Sequence, residues 1–442
     1  MIRINKNEMK KYLLLSLLFI LFQPCFSQTD VLIAKHHEIA YPVTPNTTND
    51  FPELLPWEDF FKDATIVGMG EATHGTKEFF NMKAKIFKFL ATRYGFKVFS
   101  IEATYGGTLQ VNDYVMYGKG DASAAMKGME FWTCDTEEVK ELLEWMRNFN
   151  LEKPDNEKLK FYGFDCQSLN GAGKALVDYV KEFDPQNADE FLQGVSMLTD
   201  SSSHYYNLGV GKNGRQGLNE LLRIITFIEN WFQERENVYV AGSGRVKFDR
   251  VFYNSMVLKQ TVLEREPTKI VLRQNQVRDS CMARNIQWIC SFENSKVFVW
   301  AHNAHISKDS GYRGIQYIRM GSFLNGLFGR NYRNIGFVFS KGCFQAHEPE
   351  LPYGLKEYCV PAYKKNSLTN AMAIPAINNF FIDLRDTGNP LFTTEQGAYS
   401  VGALFVNPKV SSEKMKAAKI FDGLIYVNET TRAEPIIRKK IN

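Results

Sequence analysis

Short apolar runs alternate with amphipathic stretches along most of this chain. Ala64 to Met69 and Lys97 to Ile101 read as strands, and Phe79, Met82, Ile86, Phe87 and Leu90 recur between them at helical spacing, from Lys77 to Tyr94. These three segments predict a βαβ unit whose two strands run parallel. Leu159 to Phe164, Val297 to Trp300, Ile335 to Phe339, Phe380 to Leu384 and Leu424 to Val427 are further strand candidates. Helices are expected at Thr136 to Asn148 and Gln276 to Phe292. The alternation predicts an α/β fold: a mainly parallel central sheet with helices on both faces and a helical insertion. The insertion is the stretch 181–270, where the strand-to-helix rhythm stops. Leu221, Leu222, Ile225, Ile228, Trp231 and Phe232 form one helical stripe there and Val251 to Leu263 a second, with a turn at Gly242 to Gly244.

The first residues follow a different pattern. Lys10 and Lys11 precede an apolar run, Tyr12 to Phe22, and then Gln23-Pro24-Cys25-Phe26-Ser27. A basic start, a short apolar core and a small residue before a polar stretch describe a secretory signal. The run falls short of the roughly 20 residues of a membrane span. The expected organisation is therefore a signal peptide, 1–27; a first part of the α/β catalytic domain, 28–180; the helical insertion, lining the cleft, 181–270; and the second part of the catalytic domain, 271–442. The expected location is outside the cytoplasm, periplasmic or secreted, with no membrane contact after cleavage.

Composition changes this picture only by exclusion. Hydrophobic residues at 44% and charged ones at 23% rule out a disordered or collagen-like chain. Of the formal charge of +4, Arg3, Lys6, Lys10 and Lys11 against Glu8 supply +3, which leaves a nearly neutral body. Such a body has no electrostatic reason to bind nucleic acid, and a small-molecule substrate is the expected partner. Cys134, Cys166, Cys281, Cys290, Cys343 and Cys359 are even in number, and export permits disulfides, but they are scattered with no paired C-x-x-C, so no disulfide or zinc–cysteine site is assigned. Cys281 and Cys290 read as small buried hydrophobes on a helix.

The chemistry sits just after the strands. The first is followed by Gly70-Glu71-Ala72-Thr73-His74-Gly75-Thr76, the second ends at Glu102, the third at Asp165, and Val297 to Trp300 runs into Ala301-His302-Asn303-Ala304-His305. In open α/β sheets ligands bind outside the carboxyl ends of the strands. A helix that precedes a parallel strand starts at that same edge, which places Arg278, in the first turn of its helix, with the group. His74, in a Gly-flanked turn, suits general-base work near neutral pH, although a histidine there would also cap the following helix. Glu71 would orient His74 or cap the helix itself. Glu102 closes an apolar strand, where a carboxylate needs a partner such as His74 or Arg278.

His302 and His305, three apart, match the spacing of Glu71 and His74. These four would ligate a divalent metal or, without one, their histidines would donate to a developing oxyanion. With no additional His or Cys at ligand spacing, the metal-free reading is preferred: no cofactor is expected and no metal ligand assigned. His36, His37, His204 and His347 receive no role. Gly209 to Gly214 fits G-x-G-x-x-G without a buried strand before it, and neither a Walker phosphate loop, H-E-x-x-H nor G-x-S-x-G occurs.

These residues also fall into a familiar order. Gly68 to Phe80, Val98 to Ala103, Tyr162 to Asp165, Val277-Arg278-Asp279 with Met282-Ala283, Trp300 to His305, Gly321 to Phe339 and Phe421 to Tyr426 together resemble the erythromycin (macrolide) esterase family. The resemblance implies hydrolysis of a macrolide lactone by activated water, without a covalent serine intermediate. It implies His74 as general base, Glu71 as its neighbour, Glu102 as a second active-site carboxylate, His302 and His305 as the paired histidines, and Arg278 as an arginine near the cleft. Lys83 and Lys77 stand where arginine is familiar; with Asp165 they are the expected substrate contacts. Lysine keeps the charge but loses the planar fork, which bears on the substrate more than on the reaction. Two other functions fit the same residues: an exported hydrolase of another ester, lactone or envelope-derived molecule, and an exported protein that binds a ligand or metal without turnover.

Overall fold

The computed structural model describes residues 31–33, 38–46, 50–199, 211–266, 271–309, 311–312, 315–316, 318–350, 354–365 and 367–436. The expected signal peptide, His36, His37, His204 and the start of the Gly209 to Gly214 stretch lie outside them.

Among the described residues ten strands join in one sheet. In chain order they are β1 Val31–Ile33, β2 Glu38–Pro42, β3 Ile66–Met69, β4 Phe96–Thr104, β5 Lys160–Asp165, β6 Lys296–Trp300, β7 Tyr332–His347, β8 Leu355–Val360, β9 Asn379–Asp383 and β10 Gly423–Thr430. Across the sheet the order is β1-β2-β9-β10-β7-β3-β6-β4-β5, with β8 paired to β7. The six strands from β10 to β5 are parallel to their neighbours, and β2, β9 and β8 pair antiparallel. The two strands of the expected βαβ unit, β3 and β4, are parallel but not adjacent, because β6 enters between them.

Helices cover both faces: α1 Lys77–Arg93, α2 Glu137–Phe149, α3 Asn170–Phe183, α4 Gly211–Glu234, α5 Arg245–Arg265 and α6 Val271–Glu293. Successive side chains of a strand point to opposite faces, so a strand buried on both must be apolar throughout. Val297 and Val299 of β6 enter the core formed with Leu176, Ile225 and Ile286 of α3, α4 and α6. Phe298 and Trp300 enter a second core with Phe87 of α1 and Leu142 of α2. Phe298 stacks on Phe99 of β4 at 5.3 Å, and burying one such ring contributes roughly 1.5–3 kcal/mol.

The structure decides one point that the cysteine spacing left open and corrects one expectation. Cys343 and Cys359 form a disulfide, because the antiparallel pairing of β7 with β8 sets them directly opposite each other, a register their scattered spacing conceals. The helix bearing Arg278 starts at Val271, so this residue lies about two turns in rather than in the first turn.

Candidate active site

β3, β6, β4 and β5 are neighbours and parallel, so the loops at their carboxyl ends leave the sheet side by side. The first turns away at Gly70, where a Cβ would lie 2.1 Å from Asn303 Oδ1 of the loop after β6; only glycine permits that approach. Asn303 N donates to Glu71 O at 2.9 Å, and the Asn303 side chain bonds Phe337 N and O of β7 at 3.0 and 2.7 Å. The two histidine loops are thus stitched to each other and to a neighbouring strand.

Glu71 is buried and fully engaged. His74 Nδ1 lies 2.6 Å from its Oε1, while Lys83 Nζ at 2.5 Å and Trp300 Nε1 at 2.9 Å donate to its Oε2. Burial would raise the Glu71 carboxyl, but Lys83 and His74 outweigh it and hold it at about 2. Burial would likewise lower His74, yet its bond to Glu71, with the field of Glu102, carries it above its ordinary value. Lys83, with no exposed surface, is pushed down to about 8 by burial against the pull of Glu71, and its ammonium sits 4.2 Å from the Trp300 ring centre.

A second cluster faces this one. Arg278 forks onto Asp165, Nε to Oδ1 at 3.1 Å and Nη2 to Oδ2 at 2.7 Å, and Nη2 also donates to Glu102 Oε1 at 3.0 Å. His305 Nδ1 lies 2.5 Å from Asp279 Oδ1, and its Nε2 is 3.3 Å from both Arg278 Nη1 and Glu102 Oε1. Glu102 Oε2 accepts from His302 N at 2.9 Å. Burial would raise Glu102, but His305, Arg278 and His74 keep it below the usual carboxylate range. The result is two histidine–carboxylate dyads, His74–Glu71 and His305–Asp279, with Glu102 between them.

His302 differs from both. Its Nδ1 accepts from Ala304 N at 3.2 Å and its Nε2 faces Val401 O at 3.2 Å, so the ring is held as the neutral Nε2–H tautomer. Burial pushes it down to about 3, aided by His74, whose ring centre is 5.0 Å away. With both nitrogens engaged, His302 positions its neighbours and is not free to move a proton.

Glu71, His74, Glu102, Arg278, His302 and His305 line one cavity of about 820 Å³, so the six expected catalytic residues converge. The three expected substrate contacts do not reach it. Lys83 is sealed beneath Glu71 because its face of α1 packs on the sheet; Asp165 is wholly buried, with both oxygens on Arg278; Lys77 pairs with Glu434 at the surface. The helical insertion does not wall the cleft either: among the described residues none from 181 to 266 lines it. The walls come instead from Phe131 to Cys134 and from the segment Ser400 to Ser411.

The chain pattern also misses His347, which lines the cavity with its ring 5.4 Å from Trp132, and Asp279, the partner of His305. The adjacency of Asp279 to Arg278 on one helix was the available signal. A second cavity of about 760 Å³, lined by Gly106, Lys174 and Arg250 among others, holds none of these groups. Among the described residues no three of Glu71, His74, His302 and His305 bring donor atoms within 4.8 Å of one another.

The erythromycin esterase family model matches residues 91–430. The chain belongs to the erythromycin esterase family. The match takes in Glu102, Arg278, Asp279, His302 and His305, while the loop with Glu71 and His74 precedes it. Over 414 residues the chain is 22% identical to the erythromycin esterase type II of Escherichia coli, covering 88% of this chain and 95% of that one. It is 26% identical over 268 residues to the YbfO protein of Bacillus subtilis, 56% of this chain and 58% of that relative. A crystal structure of a Bacillus cereus protein shares the fold at a TM-score of 0.77 and 23% identity, covering 92% of this chain and 98% of that one. An erythromycin esterase mutant in its open conformation does so at 0.62 and 16%, covering 88% and 96%. Membership makes this protein a hydrolase.

Proposed function

We propose that this chain is an exported hydrolase that opens the lactone ester of a macrolide with water activated at His74, without a covalent serine intermediate. One observation carries the reading: His74 Nδ1 is tied to Glu71 at 2.6 Å, while Nε2 takes no hydrogen bond among the described residues and the ring lines the cavity. In the tautomer that Glu71 favours, Nε2 is a base. It accepts a proton from water as the oxygen attacks the ester carbonyl, and general-base help of this kind contributes roughly 10²–10⁴-fold. Glu71 stabilises the imidazolium that forms, and Lys83 keeps Glu71 ionised. Arg278 and His305 supply donors for the oxyanion, each worth about 3–4 kcal/mol when well placed. Collapse expels the alkoxide, which takes a proton from imidazolium; the net change is the gain of one water. The apolar N-terminal run behind Lys10 and Lys11 supports export, and no described helix is long and apolar enough to cross a membrane.

Purified protein incubated with erythromycin is expected to yield a product heavier by one water, with His74→Ala slower by at least about 10²-fold. No ring opening by the wild type, or an unchanged rate in the variant, refutes the reading. Turnover that survives exhaustive chelation supports the metal-free version. Loss restored by a divalent ion would refute it.

A second reading keeps the chemistry and changes the ester. A protein described as a succinoglycan biosynthesis protein shares the fold at a TM-score of 0.75 and 21% identity, above the 0.62 of the erythromycin esterase mutant. An envelope-derived or other lactone substrate is then expected to turn over where a panel of macrolides does not.

A further inference from the structure

We propose that Leu404, Val406 and Val410 form an aliphatic subsite that grips the apolar part of the ester, a saturated ring face or an acyl chain. The proposal rests on the reading of this cleft as an ester hydrolase site. Leu404 is 44% exposed, Val406 52% and Val410 49%, and all three line the cavity that holds His74. Large aliphatic side chains left in water on one short segment mark a binding surface when they adjoin a reactive cleft.

Their exposure is imposed by the backbone. Val401 N donates to Ala72 O at 2.7 Å, two residues from His74, and Val401 O faces His302 Nε2. His347 N donates to Ala403 O at 2.9 Å and Phe405 N to His347 O at 3.1 Å. Between its exposed neighbours Phe405 is 8% exposed, its ring 5.3 Å from Phe344 and 4.8 Å from Tyr358. Asn407 Oδ1 accepts from Lys409 N and Val410 N, which closes the turn. Phe405 is turned inward, and Leu404 and Val406 on either side of it are left in water. Phe131 and Trp132 supply apolar surface elsewhere on the wall, and none of the residues by which Ser400 to Ser411 lines the cavity is charged, so this wall selects for hydrocarbon rather than for an ion.

Each methylene buried here is worth up to about fourfold in kcat/KM. The test uses 4-nitrophenyl acetate, butyrate, hexanoate and octanoate. For the wild type kcat/KM is expected to climb with chain length. In Leu404→Ser/Val406→Ser/Val410→Ser the octanoate-to-acetate ratio is expected to fall at least tenfold, mainly through KM. Leu404→Ser alone shows a smaller fall if the triple variant does not fold. Leu327→Ser, an equally exposed leucine (47%) outside the cavity, keeps the wild-type ratio. A ratio unmoved by the cleft substitutions, or lowered as much by Leu327→Ser, overturns the subsite. If the wild type hydrolyses no ester, the hydrolase reading fails separately, and Nile red binding judges the subsite: weaker binding to the triple variant supports it, equal binding overturns it.

Discussion

Replacing Lys83 with methionine tests the electrostatics of the site most directly. The side chain is wholly buried and its Nζ is one of three donors to Glu71, beside Trp300 and His74. Methionine fills similar volume but leaves the carboxylate without its fixed cation. Breaking a buried pair from one side costs about 3–5 kcal/mol, and a loss of that size is expected in urea unfolding. The effect on catalysis has a definite sign. Lys83 lowers His74 through repulsion and shares Glu71 with it, so its removal raises His74 further. The neutral base is then populated only at higher pH, and the acid limb of kcat/KM moves upward, each unit being a tenfold loss of rate below the limb. Lys83→Arg keeps the charge and the acid limb but does not titrate. The arginine variant is therefore expected to keep the wild-type acid limb, which separates the effect of the charge from that of the packing. The assay is a pH profile of ester hydrolysis for all three proteins with matched unfolding curves. An acid limb within 0.2 units of wild type, with stability within about 1 kcal/mol, in Lys83→Met would refute the reasoning.

Asp279→Asn keeps the shape beside His305 but removes the carboxylate that orients its ring; kcat is expected to fall by about 10²-fold or more, and a value within threefold of wild type counts against a second dyad. Acid should destabilise the fold through Glu71 and Glu102. Their folded values lie below the unfolded ones, so the contribution is complete above about 4.5 and drains away as pH falls toward 2. For Glu71 alone that is about 3 kcal/mol, and an unfolding free energy that stays flat between pH 5 and 3 would contradict it.

Much of the site was readable because of strand polarity. A strand buried on both faces shows as an unbroken apolar run, and the first polar residue after it marks the sheet edge, which is how Glu71, His74, Glu102, His302 and His305 stood out. Parallel order brings those edges together whatever the sequence distance. Asp279 was harder to see because it becomes functional only through the rotation of α6 that turns it to His305. Lys83 and Lys77 look alike on one helix; burial alone separates a charge sealed under Glu71 from one paired with Glu434 at the surface.

The amino-acid sequence by itself determined the element types, the α/β class and the loops that carry the chemistry, because periodicity and punctuation are local properties. Only the tertiary structure decided which groups pair and which surfaces form the walls. β6 enters between β3 and β4, β7 pairs with β8 to join Cys343 to Cys359, and among the described residues Ser400 to Ser411 rather than the insertion borders the cleft. Those are contacts between distant segments, set by sheet order and burial, and no local pattern encodes them.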